Sequence, residues 1–448
     1  MLLPERLLPK NKYLSERTVL MQTETKNEIV SKVDSFNGIN IYRIETGIFK
    51  TGSVNIFFHD NLNEKNVTKN ALLPAVLRRG CEGLPTLQEI ALKLEQLYGS
   101  VFDCSVAKKG ERHVIHFYIE HISDKYASKE DELFKNSFNL LLDIIYKPVL
   151  ENGVFKKEYV DQEKENLKRL IQSRVNDKVN YAIDRCFEEM CKEEPFSIYE
   201  YGRIEDLEDI NEENLYEYYK MIIENHPMDV FITGDTDETL IYDAVEKLKS
   251  LKRNNISELD KSIVTQAGTE VKEITEKMNV NQAKLSIGFR TGISSDDEDY
   301  YSLLVYNGIL GGGMHSKLFQ NVREKESLAY YIFSRLEKFK GLMIVSCGID
   351  FNNKEKTINI IKEQMDEIKK GNISDYEYDS TIKSIETGMK SLRDSQIRMV
   401  DFYLSQTIAG TNDYIDTIIE KCKKVTKEDV IKIANKVSLD TVYFLTAN

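Results

Sequence analysis

The feature of this 448-residue sequence that most restricts its fold is that its order of segments runs through once and then begins again. In the first pass, "NGINIYRIETGIFKTGSVNIFFHD" alternates apolar and polar residues around glycine turns, as strands do. "NALLPAVLRRG" follows as an apolar helical stretch ending in Gly80. "TLQEIALKLEQLYGS" predicts an amphipathic helix capped by Thr86, with Leu87, Ile90, Ala91, Leu94 and Leu97 on one stripe. The strand-like "RHVIHFYIEH" comes next, then helical segments at "LFKNSFNLLLDIIYKPVL", "KKEYVDQEKENLKRLIQSRV" and "NEENLYEYYKMIIEN", and the strand "MDVFITGD".

Residues 251–270 are polar and weakly periodic, as a linker is. Beyond them the order restarts. "NQAKLSIGFRTG" is a strand, "YYSLLVYNGILGGG" an apolar helix ending in glycines, "HSKLFQNVREKE" an amphipathic helix and "AYYIFSRLEKFKGLMIVSCGI" a β-hairpin. Helices at "KTINIIKEQMDEIKKG", "YEYDSTIKSIETGMKSL" and "TKEDVIKIANKV" and a terminal strand "TVYFLT" complete it. A chain of this length exceeds one ordinary core. The expectation is an α+β protein of two homologous domains, 1–250 and 271–448, each a mostly antiparallel sheet with helices packed on one face.

With 74 acidic and 61 basic residues the formal net charge is -13, which disfavours a general nucleic-acid role. The N-terminal "MLLPERLLPKNKYLSERTVL" is broken by prolines and charges and reads as no signal peptide, and no stretch approaches the length of a membrane span. Six scattered cysteines without a C-x-x-C pair fit buried free thiols in a reducing cytoplasm.

"HFYIEH" invites a metal reading, because histidines one helical turn apart are how several peptidases hold zinc. The inverted motif is H-x-x-E-H, and this stretch has one residue more. His116 and His121 point to opposite faces of a strand, and about 140° apart on a helix. His113 shares a face with His121 but lies eight residues away. The stretch therefore reads as strand histidines without metal.

The runs "NQAKLSIGF", "LGGGMHSKLFQNVREKESLAYYI" and "TKEDVIKIANKV" resemble second-domain signatures of the pitrilysin/insulinase metallopeptidases, and the likeness extends from near residue 40 to the C-terminus. The resemblance implies two homologous α+β domains forming half of a clamshell, closed around a peptide by a second chain. Active members carry H-x-x-E-H on the first domain's early helix. Matching the glycine that ends that helix to Gly80 places the histidines on Ala71 and Ala75 and the glutamate on Pro74. The third ligand, a glutamate on a later helix, falls on Leu170, seven residues after Glu163. A methyl group cannot ligate zinc and Pro74 has no carboxylate to activate water. The resemblance thus implies no catalytic residue, metal or cofactor on this chain, with zinc on a partner.

A second-domain pair remains. In a run resembling VREKxGLAY, active members use an arginine and a tyrosine to hold substrate, and these match Arg323 and Tyr330. Guanidinium and phenol are both donors suited to a peptide carbonyl. Leu318, Phe319 and Val322 would anchor their helix, Tyr331 is the neighbour with opposite orientation, and Ser327 replaces the commoner glycine. The leading expectation is an inactive homologue that pairs with a zinc-bearing subunit, binds peptide through Arg323 and Tyr330, and works in the cytoplasm. The alternatives are a scaffold subunit or homodimer that processes no peptide and, less favoured, a peptidase with a relocated metal. "GGGMHSK" lacks the P-loop spacing, and no nucleophile elbow appears. His59, His226 and His315 read as surface or turn residues, and the acidic runs "FEEMCKEEPF" and "GISSDDEDY" as solvated faces.

Overall fold

The computed structural model describes residues 28–448 apart from 267 and 269; the N-terminal stretch discussed above lies outside the described residues. The first half holds strands β1 (Ile29–Phe36), β2 (Ile39–Glu45) and β3 (Thr51–Asn61), helices α1 (Val67–Leu77) and α2 (Leu87–Gln96), and the hairpin β4 (Val101–Lys109) and β5 (Arg112–Ile122). It continues with α3 (Leu133–Tyr146), a small hairpin β6 (Leu150–Glu151) and β7 (Val154–Phe155), α4 (Lys157–Ser173), α5 (Lys178–Met190), α6 (Glu212–Asn225), β8 (Met228–Thr233) and α7 (Glu238–Lys249). The second half holds β9 (Lys272–Lys277), β10 (Ala283–Arg290), α8 (Tyr300–Gly311), the hairpin β11 (Ala329–Glu337) and β12 (Leu342–Ile349), α9 (Lys354–Lys369) and α10 (Asp375–Lys390). Helices α11 (Gln396–Ala409), α12 (Ile415–Lys423) and α13 (Lys427–Ala434) and strand β13 (Ser438–Thr446) end the chain.

The strand orders show the duplication directly. The first sheet runs β1-β2-β8-β3-β5-β4 and the second β11-β12-β10-β13-β9. Reversing the second gives β9-β13-β10-β12-β11, which matches β2-β8-β3-β5-β4 strand for strand. The parallel pair falls in the same place in each, β2 with β8 and β9 with β13, and the remaining pairs are antiparallel. Among the described residues only β1 has no counterpart, and the sequence patterns do not reveal it. Each half's helices cover one face of its own sheet, as its residues predict. Thr86 caps α2 in a capping box with Glu89. Of the α2 stripe, however, Ile90 and Leu97 are buried while Leu87 and Ala91 lie exposed, because only the inner edge of this helix meets the core.

The opposite face of each sheet is covered by a helix from the other half. From the first half, α5 lays Ile183, Cys186, Phe187 and Met190 against Leu342, Ile344, Tyr443 and Leu445 of the second sheet. Its approach is close enough that a Cβ on Gly288 would stand 2.7 Å from the Met190 sulfur, so any larger residue on β10 would have to displace the Met190 side chain. In return, α11 joins Val400, Phe402 and Leu404 to a cluster containing Phe57, Val114 and Phe231 of the first sheet. Each buried side chain of this size contributes on the order of 1.5–3 kcal/mol.

Ion pairs secure the same junction. Lys340 is fully buried and pairs with Glu111 and, at 2.7 Å, with Glu194; Arg290 reaches Glu194 at 2.7 Å and Asp440 at 2.9 Å. Burial pulls the Glu194 carboxyl up, but Lys340 and Arg290 outweigh it and hold it below its ordinary value. The acidic run around Glu194 is therefore partly structural, since a buried lysine needs a carboxylate beside it. Likewise His59 and His226 are buried, contrary to the surface reading. His59 Nε2 stands 3.0 Å from Asp229, and His226 Nδ1 donates to the His59 carbonyl at 3.0 Å. His315 is part-buried beside the Thr381 hydroxyl at 3.0 Å.

Candidate functional site

The positions matched to the zinc motif lie where the sequence places them, on α1. Ala71 and Pro74 are buried, and Ala75 is part-buried. Pro74 sits inside the helix, so the Asn70 carbonyl receives no amide from it. The Pro74 carbonyl accepts from Cys104 Sγ at 3.3 Å. The helix is tethered at its other end by a buried polar network. Asn70 donates to Asp60 and to His113 Nδ1, both at 3.1 Å, and accepts from the Tyr218 hydroxyl at 2.7 Å. Burial holds the His113 imidazole down at about 4, with Asp60 pulling weakly the other way.

Against α1 packs α4, which carries Glu163 and Leu170. Arg79, one turn beyond Ala75, forms an ion pair with Glu163, and its guanidinium lies 5.7 Å from the Tyr159 ring centre. Leu170 is 44% exposed. Sequence reasoning missed the Arg79–Glu163 pair, although an arginine four residues after the empty second-histidine position is a readable signal. A zinc site needs converging nitrogen, oxygen or sulfur donors. Here the matched positions offer two methyl groups, a proline ring and an isobutyl group, and Glu163 on the facing helix is already paired with Arg79. These residues do not fit a zinc ion. Among the described residues no three histidine, cysteine or acidic side chains converge as a metal site would require. The imidazoles of β5 each have other work: His113 binds Asn70, His116 Nε2 meets Asn55 at 2.9 Å, and His121 Nδ1 donates to the Ile122 carbonyl at 2.9 Å.

The second-domain pair has a different setting. Residues Phe319–Lys325 form a π-helical run in place of the regular helix expected. Leu318 and Val322 anchor it in the core, and the Arg323 guanidinium stacks 4.7 Å from the Phe319 ring centre with its side chain 41% exposed. Two residues beyond the run, Ser327 takes φ +52°, the left-handed conformation that glycine adopts freely. At the start of β11 the pairing with β12 then slips between Ala329 and Tyr331, a bulge that turns Tyr330 outward. Tyr330 is 65% exposed and its hydroxyl lies 3.5 Å from Asp350. Tyr331 faces the other way, with the Lys284 ammonium 5.4 Å from its ring centre, and burial raises its phenol to about 12. Arg323 and Tyr330 are thus both exposed along this irregular corner of the chain, and Tyr331 faces the opposite way from Tyr330.

The chain is 37% identical to the probable inactive metalloprotease YmfF of Bacillus subtilis over 419 residues, 94% of this chain and 97% of that protein. It belongs to the M16 (pitrilysin/insulinase-type) peptidase family. As an M16 member, its residues 209–385 match the family model described as the peptidase M16 inactive domain. A conserved protein from Enterococcus faecalis superposes with TM-score 0.86 at 28% identity, covering 94% of this chain and 99% of that one. The M16 inactive-domain structure from Pseudomonas fluorescens shares the fold, with TM-score 0.76 at 15% identity, covering 94% and 98%. The empty slot on α1 is in keeping with an inactive metallopeptidase homologue. No helix among the described residues is long and apolar enough to cross a membrane.

Proposed function

We propose that this chain is the non-catalytic subunit of a two-chain cytoplasmic peptidase, in which a homologous partner carries the zinc and this chain supplies peptide-binding residues to a shared chamber. In this reading residues 1–250 and 271–448 are its two domains, joined by 251–270, and together they form half of the clamshell. Arg323 and Tyr330 hold the peptide by donating to its carbonyl oxygens, where charge grows during hydrolysis.

The observation that supports this reading is the concentration of three irregularities between Phe319 and Tyr331: a π-helical run, a left-handed serine and a bulge. Each costs stability that a regular helix and strand would keep, and such departures gather where side chains must be aimed for function. Together they present a guanidinium and a phenol to open space.

The test is to mix the chain with a zinc-bearing M16 homologue from the same genome and follow cleavage of unstructured peptides. Activity should appear only in the mixture and fall about a hundredfold for Arg323→Ala, the size of effect seen when one oxyanion donor is removed. Co-purification with unchanged activity in Arg323→Ala would assign the chain to scaffolding instead.

A further inference from the structure

Where α11 and its neighbours cross the second face of the first sheet, the halves do not close completely. A cavity of about 550 Å³ remains between them. Its floor is sheet: Phe57 on β3, Ala107 and Lys109 on β4, Val114 and His116 on β5. Its roof is helix, with Leu304 from α8, Met389 from α10 and Val400 and Leu404 from α11. The cavity is partly open to solvent, with Ala107 and Ile397 exposed at its edge, and its volume falls within the range of small-molecule pockets.

The charged groups at its wall are not equivalent. Lys109 pairs with Asp401 at 2.6 Å, Asp413 is held by Tyr301 and Lys421, and Arg398 donates to the Ser391 carbonyl. Among the described residues that line the cavity, Lys338 is the charged side chain without a hydrogen-bond or ion-pair partner; its ammonium meets only the Phe339 ring, 5.2 Å from the centre. Burial brings its pKa down to about 8, helped by Lys109 and opposed by Asp401 and Glu337. Lys338 is part-buried at the cavity wall, and Asp401 and Glu337 act on its ammonium without a direct ion pair, so an anion entering the cavity would meet an unpaired cation.

We propose that the cavity binds an aliphatic molecule with a single anionic head, of the class of medium-chain carboxylates, whose head pairs with Lys338 and whose chain lies along Val114, Leu304, Val400 and Leu404. Because floor and roof come from different halves, the ligand ties the first sheet to the helices of the second half. None of the residues lining the cavity belongs to the segment from Phe319 to Tyr331.

Calorimetric titration of the purified chain with decanoate, decanol and decylamine, all well below micelle-forming concentrations, tests this. Decanoate should bind and raise the melting temperature, decanol should bind about tenfold more weakly, and decylamine should not bind. Lys338→Met should weaken decanoate about tenfold and leave decanol unchanged, because only the charge is removed. Ala107→Phe, at an exposed strand position on the cavity floor, should block both. Absence of decanoate binding, equal affinity for decanoate and decanol, or decanoate binding that survives Ala107→Phe would each overturn the proposal. Should Lys338→Met fail to fold, the Ala107→Phe result alone decides.

Discussion

On α1 the side chains matched to the zinc motif are short and apolar, buried at Ala71 and Pro74 and part-buried at Ala75, and Glu163 on the facing helix is paired with Arg79. At the corner between Phe319 and Tyr331 the matched side chains are long, polar and exposed, on a backbone bent out of regular geometry. Both places sit on the same duplicated frame. The first has been rebuilt as ordinary interior, where packing and paired charge decide which residues are acceptable. The second keeps three departures from regular geometry, the π-helical run, the left-handed Ser327 and the bulge before Tyr331.

Three experiments sharpen this contrast, beginning with the largest effect. Tyr330→Ala should lower partner-dependent peptide cleavage ten- to a hundredfold while changing folding stability by less than about 0.5 kcal/mol, since an exposed side chain with one long contact holds little of the fold. Peptide turnover and urea unfolding on the same preparation check it; a large loss of stability would make Tyr330 structural. Glu163→Ala should do the reverse. It leaves Arg79 part-buried and unpaired, which should cost about 2–3 kcal/mol in urea unfolding with little change in cleavage per folded molecule.

The third concerns acid. Burial holds His113 down at about 4 and His116 at about 3, so the unfolded chain takes up their protons first as pH falls. Their contribution is complete above about pH 6.5 and is lost between there and pH 4, by up to about 3 kcal/mol for His113 at roughly 1.4 kcal/mol per pH unit. No histidine lies between Phe319 and Tyr331. Urea midpoints at pH 7, 5.5 and 4.5 should therefore fall steeply, and His113→Asn should flatten that slope at the expense of stability at neutral pH.

Much of this was legible in residue patterns. Strand-like runs gave β3, β5, β10 and the β11–β12 hairpin, and the apolar run ending in Gly80 gave α1, because the composition that marks those elements is local. The spacing around Arg323 and Tyr330 marked the corner. What escaped were features decided by distant chain. Helices α5 and α11 went unassigned, and their burial depends on the opposite half's sheet, which no local window contains. His59 and His226 looked like surface residues because their partners, Asp229 and one another, come together only when β3 meets β8. The regular helix expected over "HSKLFQNVREKE" became a π-helical run for a similar reason: Leu318 and Val322 are drawn into the core while the chain must turn into β11.

The exchange of α5 and α11 also sets an order on how the protein can be made. When β8 leaves the ribosome the first sheet has all its strands, yet Phe57 and Phe231 have no cover until residues 396–409 are synthesised. At about 5–20 residues per second that interval is roughly ten to thirty seconds. During it the first half carries an open greasy face, while α5 waits for a sheet that does not yet exist. Neither half can finish alone, so the nascent chain is an early client for whatever shields apolar surfaces in the cell, and the last hundred residues seal the first.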